Sequence, residues 1–490
     1  MRHFLGISAG FHDAAASVVN SNGGIEFAAH SERYSRRKND RHLDPLLINH
    51  LQNWQYDEIA FYERPWLHNL QQLISGQRQF GAWTGQRVVR QQCHGKISAP
   101  VRTFPHHLSH AAAGFQTSPF DRAAVVVIDS IGELDTISIY RAWYDHTGRA
   151  QYVRCWHQGY PHSIGLFYSA MTKHVGLRPM DEEYITMGMA AYGSNKRAPE
   201  MTATFWQDWS RCQTRHNLHV GVGDLWQDTN PADIAACTQT VTERLIRHVM
   251  LRASEITGEA NLVYMGGVAL NCLANRILGD YFQKIWIMPN PGDAGSSLGA
   301  AALAYGKQLD WQHAYLGHDI PGDYPIENLM YHLVTTGIVG VASGRAEFGP
   351  RALGNRSLLA DPRGPDIKDR VNDIKQRQRF RPFAPVILEE HVHQYFAMPR
   401  NIDSSPYMQF VTRCLRPDLF PAICHADQTS RVQTVPPGRS GIRRLLEQWH
   451  HKTGCPMLLN TSLNIRGEPM VNDSNDARRF GALYGIPVCS

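Results

Sequence analysis

Two segments with the same order of apolar strands and turns constrain the fold of this chain more than any other feature. The first has strand-like runs at residues 4–8, 14–19 and 25–29, separated by turns at Gly10 and at residues 22–24. The second has an apolar run that ends at Asp129, a turn with Gly132 and a further strand at residues 136–143. Two such units predict a duplicated α/β core with a nucleotide cleft between two related lobes.

This duplicated pattern resembles the actin and sugar-kinase superfamily, which would make the N-terminal part an α/β nucleotide-binding domain. Apolar residues recur at helical spacing in residues 165–175 and 232–256. Residues 306–328 show neither the helical nor the strand period and are interpreted as a connector. We therefore place the domain boundary near residue 330, with domains at 1–330 and 331–490.

Composition indicates a protein without a membrane partner. Of the 490 residues, 43% are hydrophobic and 19% are charged, which is typical of soluble globular proteins with two or three domains. Apolar runs stay shorter than the roughly 18 residues of a membrane span. The nine cysteines are scattered without a Cys-x-x-Cys pair, so neither a disulfide framework nor a zinc ribbon is indicated. We expect a cytoplasmic protein, and its oligomeric state stays open.

The positive charge of the chain belongs to its C-terminal part. Residues 331–490 carry 21 Lys and Arg against 14 Asp and Glu, whereas the first 330 residues carry 28 against 30. Within that part, residues 343–361 place Arg345, Arg351 and Arg356 among three glycines, directly after an apolar run. Converging guanidinium groups and main-chain amides predict a receptor for phosphate or carboxylate. A flexible, solvated basic loop is the alternative.

Two histidines at helical spacing indicate a metal site. His106 and His110 lie four residues apart, and therefore on one face of a helix. Asp129 at the end of an apolar strand and Asp293 in a glycine-rich turn could complete it. Two imidazoles and two carboxylates suit iron, manganese or zinc better than magnesium. Structural histidines and turn-capping aspartates would give the same pattern.

Further polar positions follow apolar strands. Gly266 and Gly267 precede Asn271, so a base or phosphate could approach the main chain and the amide could bond a ribose. His12 and Asp13 lie in the first turn, where an imidazole could take a proton from a hydroxyl.

In the last third, four cations alternate, and in an extended strand they would share one face. A solvated edge strand would look the same. The apolar run 457–459 then leads into hydrogen-bonding groups suited to an amide or a phosphate. These positions are Lys375, Arg377, Arg379 and Arg381, followed by Asn460 and Ser462.

Seven motifs, in order along nearly the whole chain, resemble the NodU/CmcH family of O-carbamoyltransferases. The arginine-containing motif is the most specific of them. They are Gly6-Ile-Ser-Ala-Gly-Phe-His-Asp13, His106-His-Leu-Ser-His110, Met187-Gly-Met-Ala190, Gly266-Gly-Val-Ala-Leu-Asn271, Glu347-Phe-Gly-Pro-Arg-Ala-Leu-Gly-Asn-Arg-Ser357, Phe380-Arg-Pro-Phe-Ala-Pro385 and Asn460-Thr-Ser-Leu-Asn464.

The resemblance implies a TsaD-like N-terminal domain and an α/β YrdC-like C-terminal domain. The second would make carbamoyl adenylate from carbamoyl phosphate and ATP, with Mg²⁺ accompanying ATP, and the first would pass the carbamoyl group to an acceptor hydroxyl. It implies Fe²⁺ or another divalent metal on His106, His110, Asp129 and Asp293, with His12 as the candidate base. It also assigns carbamoyl phosphate and ATP to Arg345, Arg351, Arg356, Lys375, Arg377, Asn460 and Ser462.

The chain departs from the family pattern in three respects. Ile185 and Thr186 stand where relatives carry a lysine, the C-terminus at Ser490 leaves room for a missing last strand, and the chain is short for the family.

The expected acceptor is a sugar-like or antibiotic-like small molecule. The alternative acceptor is the hydroxymethyl group of a modified pyrimidine, free or in DNA, suggested by the basic run 33–41 and by Tyr62, Trp66 and Trp83. A sugar-kinase-like phosphotransferase is a more distant alternative, which leaves the last 160 residues unexplained.

Overall fold

The computed structural model describes residues 2–74, 81–223 and 225–490, which form two compact units. The first unit comprises the residues up to Ser35 and Asn39–His313, and the second comprises Ala314–Ser490 together with the short segment Arg36–Lys38. The division lies upstream of the predicted boundary at residue 330. The reason is that residues 306–328, interpreted as a connector, contain the strand Tyr315–Ile320, which pairs with Gly344–Glu347.

The first unit contains twelve strands within its described residues. They are β1 His3–Ser8, β2 Ala15–Asn20, β3 Ile25–His30, β4 Glu58–Phe61, β5 Val101–Thr103, β6 Arg122–Gly132, β7 Asp135–Tyr144, β8 Ala150–Gly159, β9 Trp206–Asp208, β10 Gln213–Thr214, β11 Asn261–Met265 and β12 Lys284–Trp286.

Two five-stranded sheets of this unit share one topology. Their orders are β3-β2-β1-β4-β5 and β8-β7-β6-β11-β12. In each sheet three consecutive antiparallel strands are followed by two strands that extend the sheet in parallel from the first strand of the set. The predicted duplicated α/β core is therefore present.

Helices cover these sheets, and the two helices predicted from periodicity are present. Ser163 caps the helix Ile164–His174 by accepting a hydrogen bond from the main-chain N–H of Leu166. Gly258, in the left-handed conformation, ends the helix Pro231–Thr257. The helices are α1 Glu32–Ser35, α2 Pro45–Leu51, α3 Pro65–Ile74, α4 Gly85–Gln92, α5 His106–Phe115, α6 Ile164–His174, α7 Glu183–Met189, α8 Ala198–Phe205, α9 Pro231–Thr257 and α10 Ser296–Tyr305.

Helix α10 packs unusually closely on its neighbours because its sequence is rich in Gly, Ala and Ser. A Cβ on Gly299 would lie 1.8 Å from the carbonyl oxygen of Ser109 in α5. A Cβ on Gly6 of β1 would lie 1.8 Å from the carbonyl oxygen of Ser297. The absence of side chains at these two glycines therefore determines how near α5 and β1 approach α10.

The second unit contains a six-stranded mixed sheet, and its strands and helices pack on one core of buried apolar residues. The strands are β13 Tyr315–Ile320, β14 Ile338–Ala342, β15 Gly344–Glu347, β16 Arg356–Ala360, β17 Ala384–Leu388, β18 Phe396–Ala397, β19 Val411–Cys414, β20 Thr429–Arg431, β21 Gln433–Val435, β22 Met457–Ser462 and β23 Val488–Cys489. The helices are α11 Ile326–Thr335, α12 Ile367–Lys375, α13 Val392–Tyr395, α14 Gly441–Thr453 and α15 Ser474–Tyr484. The strand order of the large sheet is β21-β17-β22-β16-β14-β23, in which β23 pairs in parallel with β14.

In the part of the chain that the structure describes, every helix is too short or too polar to span a lipid bilayer.

We expect Gly299→Ala to destabilise the first unit by at least about 2 kcal/mol, because the added methyl group overlaps a main-chain oxygen of α5. Urea unfolding measures this change. Gly81→Ala is the control, since its Cβ would meet only an ordinary contact, and surface substitutions of this kind change stability by about 0.5 kcal/mol or less. Equal stability of the two variants would contradict the close packing of α5 and α10.

Candidate functional site

Four buried side chains of the first unit converge on one point. His106 and His110 lie on α5, Asp129 lies in β6, and Asp293 begins the 3-10 helix Asp293–Gly295 that leads into α10. Their potential ligand atoms all lie within 4.8 Å of one another. The structure thus brings together the four residues predicted as metal ligands.

The distances within this cluster suit a single bound ion. His106 Nε2 lies 3.1 Å from His110 Nε2, 3.3 Å from Asp129 Oδ2 and 3.4 Å from Asp293 Oδ1. His110 Nε2 lies 3.4 and 3.2 Å from the same two oxygens. Tetrahedral ligands at about 2.0–2.2 Å from a metal are separated by about 3.3–3.6 Å. The residues therefore fit a divalent cation with mixed nitrogen and oxygen ligands.

Gly132 and two main-chain N–H groups help to position these ligands. A Cβ on Gly132 would lie 2.5 Å from the His106 ring, so only glycine leaves room for that ring. The main-chain N–H groups of Gly267 and Ser130 donate to Asp129 Oδ1 at 3.2 and 2.8 Å. The other oxygen, Oδ2, is left facing the histidines.

The two histidine rings are supported from behind in different ways. His110 Nδ1 donates to the carbonyl oxygen of Pro291 at 3.0 Å, which leaves the Nε2 lone pair for a metal. Nδ1 of His106 lies 3.7 Å from a carboxylate oxygen of Glu63, a buried residue that follows β4. Glu63 was not predicted from the sequence, although it follows an apolar strand, which is the signal that predicted Asp129.

The pKa values of the clustered side chains are shifted mainly by oppositely charged neighbours, which outweigh the effect of burial. Burial acts to lower the pKa of His106, but Asp293 and Asp129 outweigh it and raise that pKa well above its usual value. Burial acts to raise the pKa of Asp129, but His106 and His110 outweigh it and lower the pKa well below its usual value. A bound divalent cation would replace the protons that the rings otherwise hold.

His12 and Asp13, the predicted catalytic pair, lie beside the cluster. His12 Nδ1 bonds Asp13 Oδ2 at 3.0 Å, and its Nε2 lies 3.7 Å from Asp293 Oδ2. Burial acts to lower the pKa of His12, but Asp13, Asp293 and Asp129 outweigh it and raise the pKa to about 10. The ring is therefore protonated at neutral pH in this structure, chiefly because of Asp13.

The residues of the predicted nucleotide-binding turn make contacts within the protein. Gly266 has φ +92°, and a Cβ there would lie 2.2 Å from the carbonyl oxygen of Ile128, so the contact of β11 with β6 requires glycine. The side-chain amide of Asn271 exchanges two hydrogen bonds with Gln239 at 3.0 and 3.1 Å. In this structure Asn271 is thus engaged within the protein, and Gly267 supports Asp129.

The three predicted anion-binding arginines of the second unit have different surroundings. Arg345 donates to the carbonyl oxygen of Leu316 at 2.6 Å, and Arg351 is half-buried. Arg356 is completely buried and supports the loop from within. Its guanidinium donates at 2.9–3.1 Å to the carbonyl oxygens of His318, Ser343, Asn355 and Asn472.

Glu347 organises the same loop, a role that the sequence analysis did not assign. Its Oε1 accepts from the main-chain N–H groups of Leu353, Asn355 and Arg356 at 2.8, 2.9 and 3.2 Å. An acidic residue among glycines and arginines was the available signal. This carboxylate holds the segment that carries Arg351.

The prediction of a strand with alternating cations at residues 375–381 is wrong. Lys375 is the last residue of α12, and Gln376 has φ +47°, which turns the chain out of the helix. The Lys375 ammonium is buried and donates to Asn464 Oδ1 at 2.7 Å, to the Ser462 hydroxyl at 3.0 Å and to the Ser462 carbonyl oxygen. Its three partners are neutral oxygens, and Asn464 is a contact that sequence analysis missed.

The surroundings of Lys375 are positive. Burial first, and then the charges of Arg377, Arg381 and Lys38, lower the pKa of Lys375 well below its usual value. Arg377 lies over the Phe383 ring at 4.0 Å. An anion in the vicinity would offset these charges and favour the protonated form of Lys375.

The remaining predicted residues are distributed between core and surface. Asn460 is buried and donates to the carbonyl oxygen of Ala352 at 3.1 Å, which ties β22 to the arginine loop. Ile185 and Thr186, which stand in place of a lysine, are fully buried. Of the aromatic residues considered for base stacking, Tyr62 is fully buried, whereas Trp66 and Trp83 are half-exposed.

Comparisons with known proteins match both parts of the chain. A family model for the N-terminus of carbamoyltransferases matches residues 58–302, and one for their C-terminus matches residues 331–487.

Individual relatives extend over almost the whole chain. An uncharacterized protein of Synechocystis sp. is 33% identical over 98% of this chain and 94% of its own length. Nodulation protein NolNO of Sinorhizobium fredii is 30% identical over 95% of this chain and 76% of its own length. The solved (R)-2-hydroxyglutaryl-CoA dehydratase component A of Acidaminococcus fermentans is 14% identical over 62% of this chain and 98% of its own, with a TM-score of 0.35, too low to assign a common fold. The family models and the full-length relatives show that this chain belongs to the carbamoyltransferase family and is a carbamoyl-transferring enzyme.

Proposed function

We propose that this enzyme is an ATP-dependent O-carbamoyltransferase that uses carbamoyl phosphate. In the second unit, proposed to be YrdC-like, one water splits carbamoyl phosphate into carbamate and phosphate. A carbamate oxygen then attacks the α-phosphorus of ATP, which gives carbamoyl adenylate and releases pyrophosphate. The first unit, proposed to be TsaD-like, transfers the carbamoyl group to a hydroxyl of a sugar-like or antibiotic-like small molecule. The family supports the carbamoyl chemistry, and the two sets of charged residues support its division into two half-reactions.

The observation that carries this proposal is the Lys375 ammonium. It is buried, its bonded partners are neutral oxygens, and its neighbours Arg377, Arg381 and Lys38 are cations. Burial and these neighbours disfavour the protonated form of Lys375, and a phosphate beside it would favour that form and bind to it. Arg351, on the loop held by Glu347, would neutralise charge that develops on the leaving phosphates.

In the first unit, the four clustered side chains would hold the divalent metal, and the metal when bound would supply positive charge to the phosphate of the adenylate. The side chains of His106, His110, Asp129 and Asp293 determine where that charge is placed. Neutralising Asp129 and Asp293 would remove two of the charges that raise the pKa of His12. His12 is the proposed base: its Nε2 would accept the proton of the acceptor hydroxyl, while Asp13 holds Nδ1.

We expect Arg351→Ala to reduce pyrophosphate release from ATP and carbamoyl phosphate by about 100-fold or more, as for loss of a donor that stabilises developing charge. Pyrophosphate is measured with a coupled enzyme assay. Arg416→Ala is the control, because Arg416 is half-exposed and pairs with Asp418. Near-normal release by Arg351→Ala would contradict the assignment, and ADP in place of pyrophosphate would indicate a kinase.

Removal of the divalent metal with a chelator should separate the two half-reactions. With the chelator removed by dialysis and ATP supplied as its Mg²⁺ complex, we expect carbamoylation of the acceptor to be lost while pyrophosphate release continues, because the proposed metal ligands belong to the first unit alone. Mass spectrometry of mixed acceptors, including sugars and hydroxymethylated DNA, detects the product. Mock-dialysed protein and protein reloaded separately with Fe²⁺, Mn²⁺ or Zn²⁺ are the controls. Full transfer by protein shown to be free of metal would contradict the proposal.

A further inference from the structure

One of the two clustered histidines has no hydrogen-bond partner on its outer nitrogen. Nδ1 of His110 is bonded to the carbonyl oxygen of Pro291 at 3.0 Å. Nδ1 of His106 is buried and has no hydrogen bond to any described residue. A metal-bound histidine generally donates this second N–H to a carboxylate, a carbonyl oxygen or water, which fixes the ring and its tautomer.

The carboxylate of Glu63 lies close to this nitrogen. Its Oε2 lies 3.7 Å from His106 Nδ1, about 0.5 Å beyond the upper end of an N–H···O hydrogen bond, and 3.6 Å from His68 Nδ1. Glu63 is 7% exposed. A buried side chain with an acceptor oxygen thus lies between the two histidine rings.

The main chain beside Glu63 is anchored to the same turn that seats His106. The N–H of Arg64 donates to Glu133 Oε1 at 2.6 Å, and its guanidinium donates to Glu133 Oε2 at 2.6 Å. Glu133 follows Gly132, whose missing side chain leaves room for the His106 ring. Glu133 itself has φ +59°, a conformation that costs a non-glycine residue energy. The turn therefore holds the main chain next to Glu63 close to the His106 ring.

We propose that Glu63 is a positioning residue of the metal centre, which accepts the Nδ1–H of His106 when a metal is bound. The hydrogen bond commits the Nε2 lone pair to the metal, and the negative charge makes the ring a stronger donor. Glu63 thus does for His106 what the Pro291 carbonyl oxygen does for His110. This inference rests on the proposed metal centre and adds a residue to it.

Co²⁺ binding tests this role without a measurement of activity. We expect Glu63→Gln, which keeps the size of the side chain and removes its charge, to bind Co²⁺ about 10–100-fold more weakly than the unmodified protein. The affinity is measured from visible absorption in competition with a chelator. Glu58→Gln is the matched control, because Glu58 belongs to the preceding strand β4 and pairs with Arg102. Equal affinity of Glu63→Gln and Glu58→Gln would overturn the proposal.

A second measurement uses the unmodified protein, so it does not depend on the folding of a variant. In a crystal structure of the Co²⁺-loaded enzyme we expect Glu63 Oε2 within about 3.2 Å of His106 Nδ1. A carboxylate turned away from the ring would overturn the proposal. Absence of any Co²⁺ binding by the unmodified protein would overturn the metal centre as well, whereas equal affinity of the variants overturns the role of Glu63 alone.

Discussion

The burial of two carboxylates against two imidazoles is the constraint on which the first unit depends. Removing a carboxylate from water costs several kcal/mol unless opposite charge lies close to it. Asp129 and Asp293 meet that condition only because α5 carries two histidines on one face and because α5 and α10 approach at Gly299. The small residues of α10 thus serve the electrostatics of the cluster. A divalent cation would balance the two carboxylates and leave both rings neutral.

Two basic side chains are buried in the second unit. The Arg356 guanidinium donates to carbonyl oxygens, and the Lys375 amine donates to oxygens of Ser462 and Asn464. The hydrogen bonds of the Arg356 guanidinium to carbonyl oxygens stabilise the loop. Glu347 stabilises the same loop by accepting hydrogen bonds from the loop's main-chain N–H groups. An incoming phosphate would offset the positive charges of Arg377, Arg381 and Lys38 around Lys375. The cluster of the first unit thus suits a cation, and the surroundings of Lys375 suit an anion.

Sequence patterns predicted the features that depend on local spacing. The pairing of His106 with His110 and the duplicated sheets follow from helical and strand periods. The prediction of a strand at residues 375–381 is wrong, because alternating cations are as compatible with a helix end followed by a loop as with a strand. The left-handed backbone of Gln376 ends the helix there, and the sequence pattern does not reveal that conformation. The partners of Arg356 and Asn271 are distant in sequence, so supporting and substrate-facing side chains look alike before folding.

The most direct test of the metal centre is X-ray diffraction from crystals of the purified enzyme, with data collected on both sides of the absorption edge of the metal found by elemental analysis. We expect one anomalous peak among His106 Nε2, His110 Nε2, Asp129 and Asp293, at about 2.0–2.2 Å from each ligand atom. An enzyme that is active with no peak at this position, and with the four side chains bonded directly to one another, would contradict a metal-centred carbamoyl transfer.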